Sequence, residues 1–394
     1  MALDGREITV IGAGIGGLAA AVALSRRGAR VTVLEQAPEI AEVGAGIQIT
    51  PNGAAVIEAL GLGPTLGAAA LPNSAVHLRD GATARTVVRL DLTGAGLARG
   101  YFLIHRADLI ALLEWAARGA GVTLRLGSRV ERVEHGPSGC KLLLDGGEVL
   151  DTALAIAADG LHSRARRALN PSASPFFTGQ VAWRTTIPDA AARHLPEAEV
   201  FMAPGRHLVS YPIRGGRARN LVAVEERRDW TDEGWTHRDD PDRLRDAFSG
   251  FGGPARDWLA AVETVHVWGL FRHPVAERWH DGRAVVLLGD AAHPTLPFLA
   301  QGANMALEDA WCLAALLDRH DDTAAALDAY QAVRQPRTRR IVAAANANAR
   351  NYHLSGAARL AGHAMLRTAG AVAPGLVLRR FDWLYRHDVT QQVA

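Results

Sequence analysis

Three glycines in the pattern Gly12-x-Gly14-x-x-Gly17 separate a short apolar run, Ile8-Thr9-Val10-Ile11, from an Ala-rich stretch that reaches about Arg27. Each glycine has a distinct job. The first allows a tight turn, the second lets a pyrophosphate approach the backbone, and the third lets a helix pack on a strand. The pyrophosphate then sits at a helix N-terminus, where free N–H groups and the helix dipole favour an anion. Glu35 lies 18 residues past Gly17, at the end of a second run, Arg30-Val31-Thr32-Val33-Leu34. A carboxylate there can bind ribose hydroxyls and would repel a 2′-phosphate. A ligand-free Gly-rich turn would show the same triplet, but the β-α-β setting together with Glu35 favours a dinucleotide site.

Two further apolar runs end in acids. Ile156-Ala157-Ala158 leads into Asp159-Gly160, and Leu288-Gly289 into Asp290. The second continues through Leu296-Pro297-Phe298-Leu299-Ala300-Gln301-Gly302-Ala303-Asn304 into a long Ala-rich helix, a second N-terminus that favours an anion. The segment His207-Leu208-Val209-Ser210-Tyr211-Pro212 reads as a strand in which His207, Val209 and Tyr211 share a face. Histidine there is a candidate base near neutral pH. A strand-surface histidine beside a core tyrosine is the plainer alternative. Arg184 is a candidate partner for a carboxylate, or one half of a structural ion pair. His293 reads as a structural or pyrophosphate-side residue, and His273 and His280 show no partner pattern. Cys140 and Cys312 have no metal-type spacing, so no metal site is expected.

The elements that must hold these residues follow from the apolar patterning. Strands read at Val122–Leu126, Val130–Glu134, Lys141–Asp145, Leu154–Ala158 and Ala284–Leu288, and a helix at Arg106–Arg118. Between them, Val181–Ile187, His207–Ile213, Asn220–Glu225 and Val265–Leu270 look like an antiparallel sheet. Gly28 reads as the cap of the first helix. A long helix runs from near Gly302 to about Arg319, and the chain beyond Ala324 is mostly helical. Dinucleotide-type strands stand on both sides of the antiparallel middle, so the two domains are interleaved.

Composition excludes several classes. The chain has 394 residues, with 43 basic against 41 acidic and no basic tract, so nucleic acid is not an expected partner. Lys141 is the only lysine, which removes the P-loop and leaves Schiff-base chemistry to a hairpin strand. The apolar stretch Ile8–Leu24 holds four glycines and reads as strand, turn and helix rather than a membrane span. The N-terminus has no cationic leader, and two cysteines fit a reducing compartment, so a cytoplasmic protein is expected.

On the glycine fingerprint, Glu35, Asp159-Gly160 and Gly289-Asp290, the chain resembles the group A flavoprotein monooxygenases, the FAD-dependent aromatic hydroxylases. It is most similar to the branch of salicylate, 3-hydroxybenzoate and 6-hydroxynicotinate hydroxylases. That resemblance implies an α/β fold. A Rossmann-type FAD-binding domain (1–72, 101–175 and 271–345) would be interleaved with an antiparallel-sheet substrate domain (73–100 and 176–270), before a C-terminal helical region (346–394). It implies FAD as cofactor, with NADH or NADPH as a transient co-substrate. Gly61-Leu62-Gly63-Pro64 has no strand before it, so there is no second fingerprint for a nicotinamide domain.

Carried over residue by residue, the resemblance gives FAD to Gly12, Gly14, Gly17, Glu35, Gln48, Arg106, Val130, Asp159, Asp290, Gln301, Gly302, Ala303 and Asn304. In it, Val43-Gly44-Ala45-Gly46-Ile47-Gln48-Ile49-Thr50-Pro51-Asn52 is the loop at the flavin ring. Arg106 contacts FAD, Val130 lies at the adenine and Asp290 at the ribityl chain. Gln48, Arg184 and Pro297 are the substrate-side candidates. His207 would remove the proton of a phenolic substrate, and Tyr211 would bind its carboxylate or phenol oxygen. The implied reaction is hydroxylation of a hydroxylated aromatic acid with O2 through a flavin C4a-hydroperoxide. Substrate and O2 are then the partners, with no membrane, and a homodimer is common in the family. Alternatives are a monooxygenase of larger biosynthetic phenols or heteroaromatics, and a non-catalytic FAD-binding protein. A flavin-dependent halogenase is disfavoured, since Trp183-Arg184-Thr185-Thr186-Ile187-Pro188 lacks the second tryptophan of the Trp-x-Trp segment and no suitable lysine exists.

Overall fold

Ile8 and Val10 are buried because the strand Glu7–Ile11 runs through the middle of a sheet covered on both faces. In the computed structural model, which describes residues 2–40, 45–95, 100–136, 139–189, 195–229 and 237–393, this sheet has five parallel strands. Their order is Val285–Leu287, Ala155–Ala157, Glu7–Ile11, Arg30–Leu34 and Thr123–Arg125. The strands are short and almost wholly apolar, as strands covered on both faces must be, here by helices on one side and by the antiparallel strands Val130–Gly136, Gly139–Leu144 and Val149–Thr152 on the other. The helices Ile15–Ser25, Arg106–Gly119 and Gly302–Arg319 cover it. Gly16 lets the first and last of these helices cross closely: a Cβ there would stand 2.7 Å from the Leu288 side chain and 3.1 Å from Ala306.

The middle of the chain forms an eight-stranded sheet. Its order is Arg238–Asp239, Val265–Arg272, Phe176–Pro188, Ala218–Glu226, Arg206–Ile213, Glu197–Ala203, Ala75–Asp80 and Thr86–Asp91. All neighbours are antiparallel except Glu197–Ala203 with Ala75–Asp80. Strand periodicity gives this sheet two apolar faces. Trp183, Phe201 and Leu208 pack with Phe248 and Trp258 of the small outer helices. Ala182, Val222, Val224 and Trp268 turn the other way, onto Leu296, Phe298 and Ala349. A three-stranded sheet, Gly46–Ile49, Phe102–His105 and Leu71–Pro72, bridges the two halves. This is the α/β architecture expected, with one strand set parallel and the other antiparallel.

One helix end needs correction. The helix Thr323–Tyr352 runs unbroken across positions 345–346, and the chain turns at His353. The first helix ends at Ser25, not Arg27; Arg27 and Gly28 close it with hydrogen bonds to the carbonyls of Leu24 and Ser25, and Gly28 (φ +96°) makes the turn beyond.

One cluster ties the helices Gly302–Arg319 and Thr323–Tyr352 together. Glu308 and Asp309, fully buried on Gly302–Arg319, face Arg334 and Arg337 on Thr323–Tyr352. Arg334 Nη1 reaches Glu308 at 2.5 Å and its Nε reaches Asp309 at 2.7 Å. Arg337 binds both Glu308 oxygens at 2.7 Å. Burial alone would raise the Glu308 carboxyl, but Arg334 and Arg337 hold it at about 2, below its ordinary 4.5.

A buried charge stripped of its partner is costly. Arg334→Met should therefore lower stability by about 3–5 kcal/mol in urea unfolding. Because Glu308 is depressed in the folded state, its contribution is complete above pH 4.5 and fades as the pH falls from there toward about 2. Wild-type stability should drop through that window, and Glu308→Gln should be less stable at neutral pH with a flatter acid limb.

Candidate active site

The glycine loop is built as the fingerprint requires. Gly12 sits at φ +101°, and a Cβ on it would lie 2.6 Å from the Ala158 carbonyl oxygen. A Cβ on Gly17 would run into the Gly12 carbonyl. Gly14, the residue that opens the helix Ile15–Ser25, has nothing within 4 Å of its Cβ position. Two glycines are thus small for the fold, and the third is small for something outside it. Glu35 takes the Ala13 N–H at 2.7 Å and the Ala37 N–H at 2.9 Å, one on each oxygen. A carboxylate has about four acceptor sites, so Glu35 retains capacity for ribose hydroxyls. The 125–128 segment runs alongside, with Glu35 N–H on the Arg125 carbonyl and Ser128 N–H on the Glu35 carbonyl, and it delivers Val130 to the same end.

The two acids converge on this loop from the other strand ends. Asp159 follows the carbonyl that touches Gly12; its Oδ2 accepts the Arg164 N–H at 3.0 Å, while its buried Oδ1 has no hydrogen-bond partner among the described residues. Burial pushes this carboxyl up, opposed by Ser163 and the Arg164 N–H. Asp290 is exposed, yet protein surrounds it enough for burial to raise its carboxyl; His293 and Arg106 pull it back down. Arg106 therefore stands within electrostatic reach of Asp290. An unpartnered buried oxygen, an open acid and a bare Gly14 form a cradle that fits FAD.

Residues Ala45–Asn52 form the next wall; Val43 and Gly44 lie outside the described residues. Gly46 hydrogen-bonds Asn220, and a Cβ on it would stand 2.6 Å from the Tyr211 ring. Thr50 N–H donates to Asn304 Oδ1 at 3.0 Å, and Gln301 Nε2 donates to Thr50 Oγ1 at 3.0 Å. Asn52 donates to Gln301 and to Glu308. The side chains of Gln301 and Asn304 are therefore turned inward, and they position this loop. Any contact of theirs with a flavin must come from the backbone of Gln301-Gly302-Ala303-Asn304. Pro297 opens a short 3-10 turn and is partly exposed.

Opposite lies the inner face of the large sheet. Tyr211 and His207 are both buried on Arg206–Ile213. Tyr211 bonds Gln48, and Arg184 lies near enough to lower the phenol that burial raises. Arg184 also stacks over Trp268 at 4.8 Å. Tyr101 donates to Gln48 Oε1 at 2.5 Å and packs 5.9 Å from Tyr385. Burial and the neighbouring phenols of Tyr385, Tyr211 and Tyr352 hold Tyr101 far above its ordinary value. These hydroxyls are neutral donors. His207 packs between Phe298 and Tyr352, 5.1 and 5.2 Å away, and burial lowers its basicity strongly. The inner face thus gathers Gln48, Arg184, Tyr211 and His207. Tyr101, Tyr352, Tyr385 and His353 join them from distant segments that no local pattern marks. His293 is structural: its Nε2 meets Asp309 at 2.5 Å in the core.

The pattern of the FAD-binding domain family matches residues 6–345. The chain belongs to that family. It is 37% identical to 3-amino-4-hydroxybenzoate 2-monooxygenase of Streptomyces cremeus over 88% of each chain. It is 33% identical to 3-hydroxybenzoate 6-hydroxylase 1 of Aquipseudomonas alcaligenes, over 98% of this chain and 99% of the relative. Its fold superposes on a salicylate hydroxylase substrate complex with a TM-score of 0.82 at 25% identity, covering 99% and 97% of the two chains. Klebsiella pneumoniae HpxO complexed with FAD and uric acid gives 0.84 at 27% identity, again over 99% and 97%. The chain is an FAD-dependent monooxygenase of the aromatic hydroxylase kind. No helix among the described residues is long and apolar enough to cross a membrane, and no group of potential metal ligands occurs among them.

The glycines separate fold from cofactor. Gly17→Ala should destabilise the apoprotein, since its methyl meets backbone. Gly14→Ala should leave apoprotein melting unchanged and weaken FAD. Glu35→Ala should weaken FAD by about 1–3 kcal/mol, the scale of hydrogen bonds to a charged group. Apoprotein melting curves and fluorescence titration with FAD read all three.

Proposed function

We propose that the enzyme hydroxylates a hydroxylated benzoate, with the substrate lying between the Ala45–Asn52 loop and the inner face of the large sheet. The observation that carries this is the meeting of Arg184, Tyr211 and Gln48 in one buried aromatic setting. A cation and a neutral phenolic donor suit a carboxylate, and Trp268, Leu296 and Phe298 supply the apolar wall for a ring. The relatives named for 3-amino-4-hydroxybenzoate and 3-hydroxybenzoate support the same class.

Arg184 and Tyr211 hold the acid end of the ring, and Gln48 orients Tyr211. His207 accepts the phenol proton, so that the ring becomes the stronger phenolate nucleophile. Its low basicity keeps it unprotonated in the resting state, which is the condition for a base. The aromatic wall keeps water from the reacting carbon. Bound FAD supplies the two electrons drawn from NAD(P)H and the activation of O2. One oxygen atom enters the ring and the other leaves as water. The C-terminal helices expose Leu360, Met365, Val372 and Leu376, a surface that supports a homodimer.

The test is NADH and NADPH oxidation by the FAD-loaded enzyme with salicylate, 3- and 4-hydroxybenzoate, 3-amino-4-hydroxybenzoate and 6-hydroxynicotinate, with mass spectrometry of products. Stimulated oxidation and a gain of one oxygen are expected with at least one benzoate. Oxidation that none of them stimulates would overturn the substrate class. Arg184→Met should raise KM by roughly 10- to 100-fold with a smaller change in kcat, as loss of a charged hydrogen bond predicts. His207→Ala should keep FAD and lose most hydroxylation, with substrate affinity changed much less.

A further inference from the structure

His207 does not end in the protein interior. Its Nδ1 lies 2.7 Å from His353 Nε2, and His353 Nδ1 lies 2.8 Å from Glu226 Oε1. His207 and His353 are buried, whereas the Glu226 side chain is 55% exposed. Glu226 opens onto a surface hollow of about 400 Å³, lined also by Thr178, Gln180, Arg227 and Arg228. The backbone holds the three in register: His207 pairs with Val224 two residues before Glu226, and Gly205 bonds both Glu226 and the His353 carbonyl. An unbroken line of polar atoms thus runs from the inner face of the sheet to solvent.

The exposed end determines every tautomer along the line. A carboxylate only accepts, so His353 carries its proton on Nδ1 and donates it to Glu226. His353 Nε2 is then an acceptor, and His207 must donate to it from Nδ1. That leaves a lone pair on His207 Nε2, the buried atom with no hydrogen-bond partner among the described residues. We infer that His353 and Glu226 form a proton relay that drains His207 to solvent, making them positioning and transfer residues for the hydroxylation. This rests on the reading of His207 as the base. On ionisation the phenol proton goes to His207 Nε2, the Nδ1 proton of His207 goes to His353 Nε2, and the Nδ1 proton of His353 goes to Glu226 and then water; when the hydroxylated ring rearomatises, its oxygen takes a proton back from His207 Nε2 and the line reloads from solvent in reverse, which restores both Nδ1–H tautomers. No electron moves, and one proton leaves for each that enters.

The electrostatics run downhill. Burial and the neighbouring His353 make a charged His207 costly. His353 is lowered first by burial, but Glu226 raises it, against Arg206. A proton is therefore better held at His353 than at His207, and better still near the exposed carboxylate. Besides Glu226 and Arg206, the charged groups next to this end are Glu225, paired to both Arg206 and Arg227, and Arg228 in the hollow. Tyr352 and Phe298 are the rings against His207.

The experiment uses FAD-loaded protein with 3-hydroxybenzoate, an indicator dye in weak buffer and stopped-flow mixing. In wild type, the phenol proton should reach the dye in step with ionisation of the bound ligand. His353→Gln should slow that release and kcat by roughly tenfold or more, with little change in substrate affinity. Imidazole should partly restore His353→Ala. Glu226→Gln, a surface change that spares folding, removes the negative charge beside His353. The acid limb of its kcat profile should move to lower pH, with a reduced plateau. Wild-type release and profile retained in both variants would overturn the relay while leaving the hydroxylase reading intact. Failure of wild type to ionise or hydroxylate 3-hydroxybenzoate would instead count against the substrate. The relay is then read in the ligand-free enzyme by ¹⁵N shifts of the two imidazoles, where Nδ1–H at both supports it and an Nε2 proton on neutral His207 overturns it.

Discussion

Two carboxylates with no access to water, Glu308 and Asp309, stand in the centre of this molecule, and much else is arranged to keep them ionised. Arg334 and Arg337 balance their charge. The remaining acceptor positions are filled from loops that matter for the site. Asp309 Oδ2 takes the Gly289 N–H at 3.1 Å and faces His293, so it positions Asp290 one residue on. Glu308 Oε1 takes Asn52, which reaches Gln301 and Thr50 and sets the loop carrying Gln48. Arg337 also binds the carbonyls of Trp383 and Leu384, fastening the chain's C-terminal part. The cradle and the substrate wall therefore share one electrostatic anchor, touched from one side by Gly289 and from the other by Asn52.

What the sequence disclosed was local. The glycine fingerprint, Glu35, Asp159 and Asp290 each sit at a strand end, where a short apolar run and a turn residue announce the geometry. The start of the long helix at Gly302 was legible from its neighbours, as was the shared face of His207 and Tyr211. Their partners were not. His353 closes a helix 146 residues away from His207, and no periodicity links them. Tyr101, Tyr352 and Tyr385 come from three segments with no pattern in common. The inward turn of Gln301 and Asn304 was hidden for the same reason, because it depends on Thr50 and Asn52, about 250 residues earlier.

The substrate side combines opposed properties. Burial keeps its tyrosines neutral and its histidine unprotonated, so at neutral pH the cavity offers donors and a lone pair. Arg184 adds the charge that a benzoate requires. The same dryness that keeps His207 unprotonated makes it a poor place for a proton to stay. A catalytic group of this kind works only if the fold gives the proton somewhere to go.

The order of strands in the parallel sheet has a consequence for how the protein is made. Its inner strands come from residues 7–11, 30–34 and 155–157, and the strand that completes it from 285–287. On a ribosome moving at about 5–20 residues per second, the last of these emerges roughly 15–60 s after the first. Until then Ala155–Ala157 presents an unpaired apolar edge, which invites association with other chains. The nascent chain spends that interval with its dinucleotide half unfinished, and the antiparallel half is completed in sequence only with Val265–Arg272, shortly before that last strand. What shields that edge during synthesis therefore bears on its yield in a cell alongside the stability of the finished enzyme.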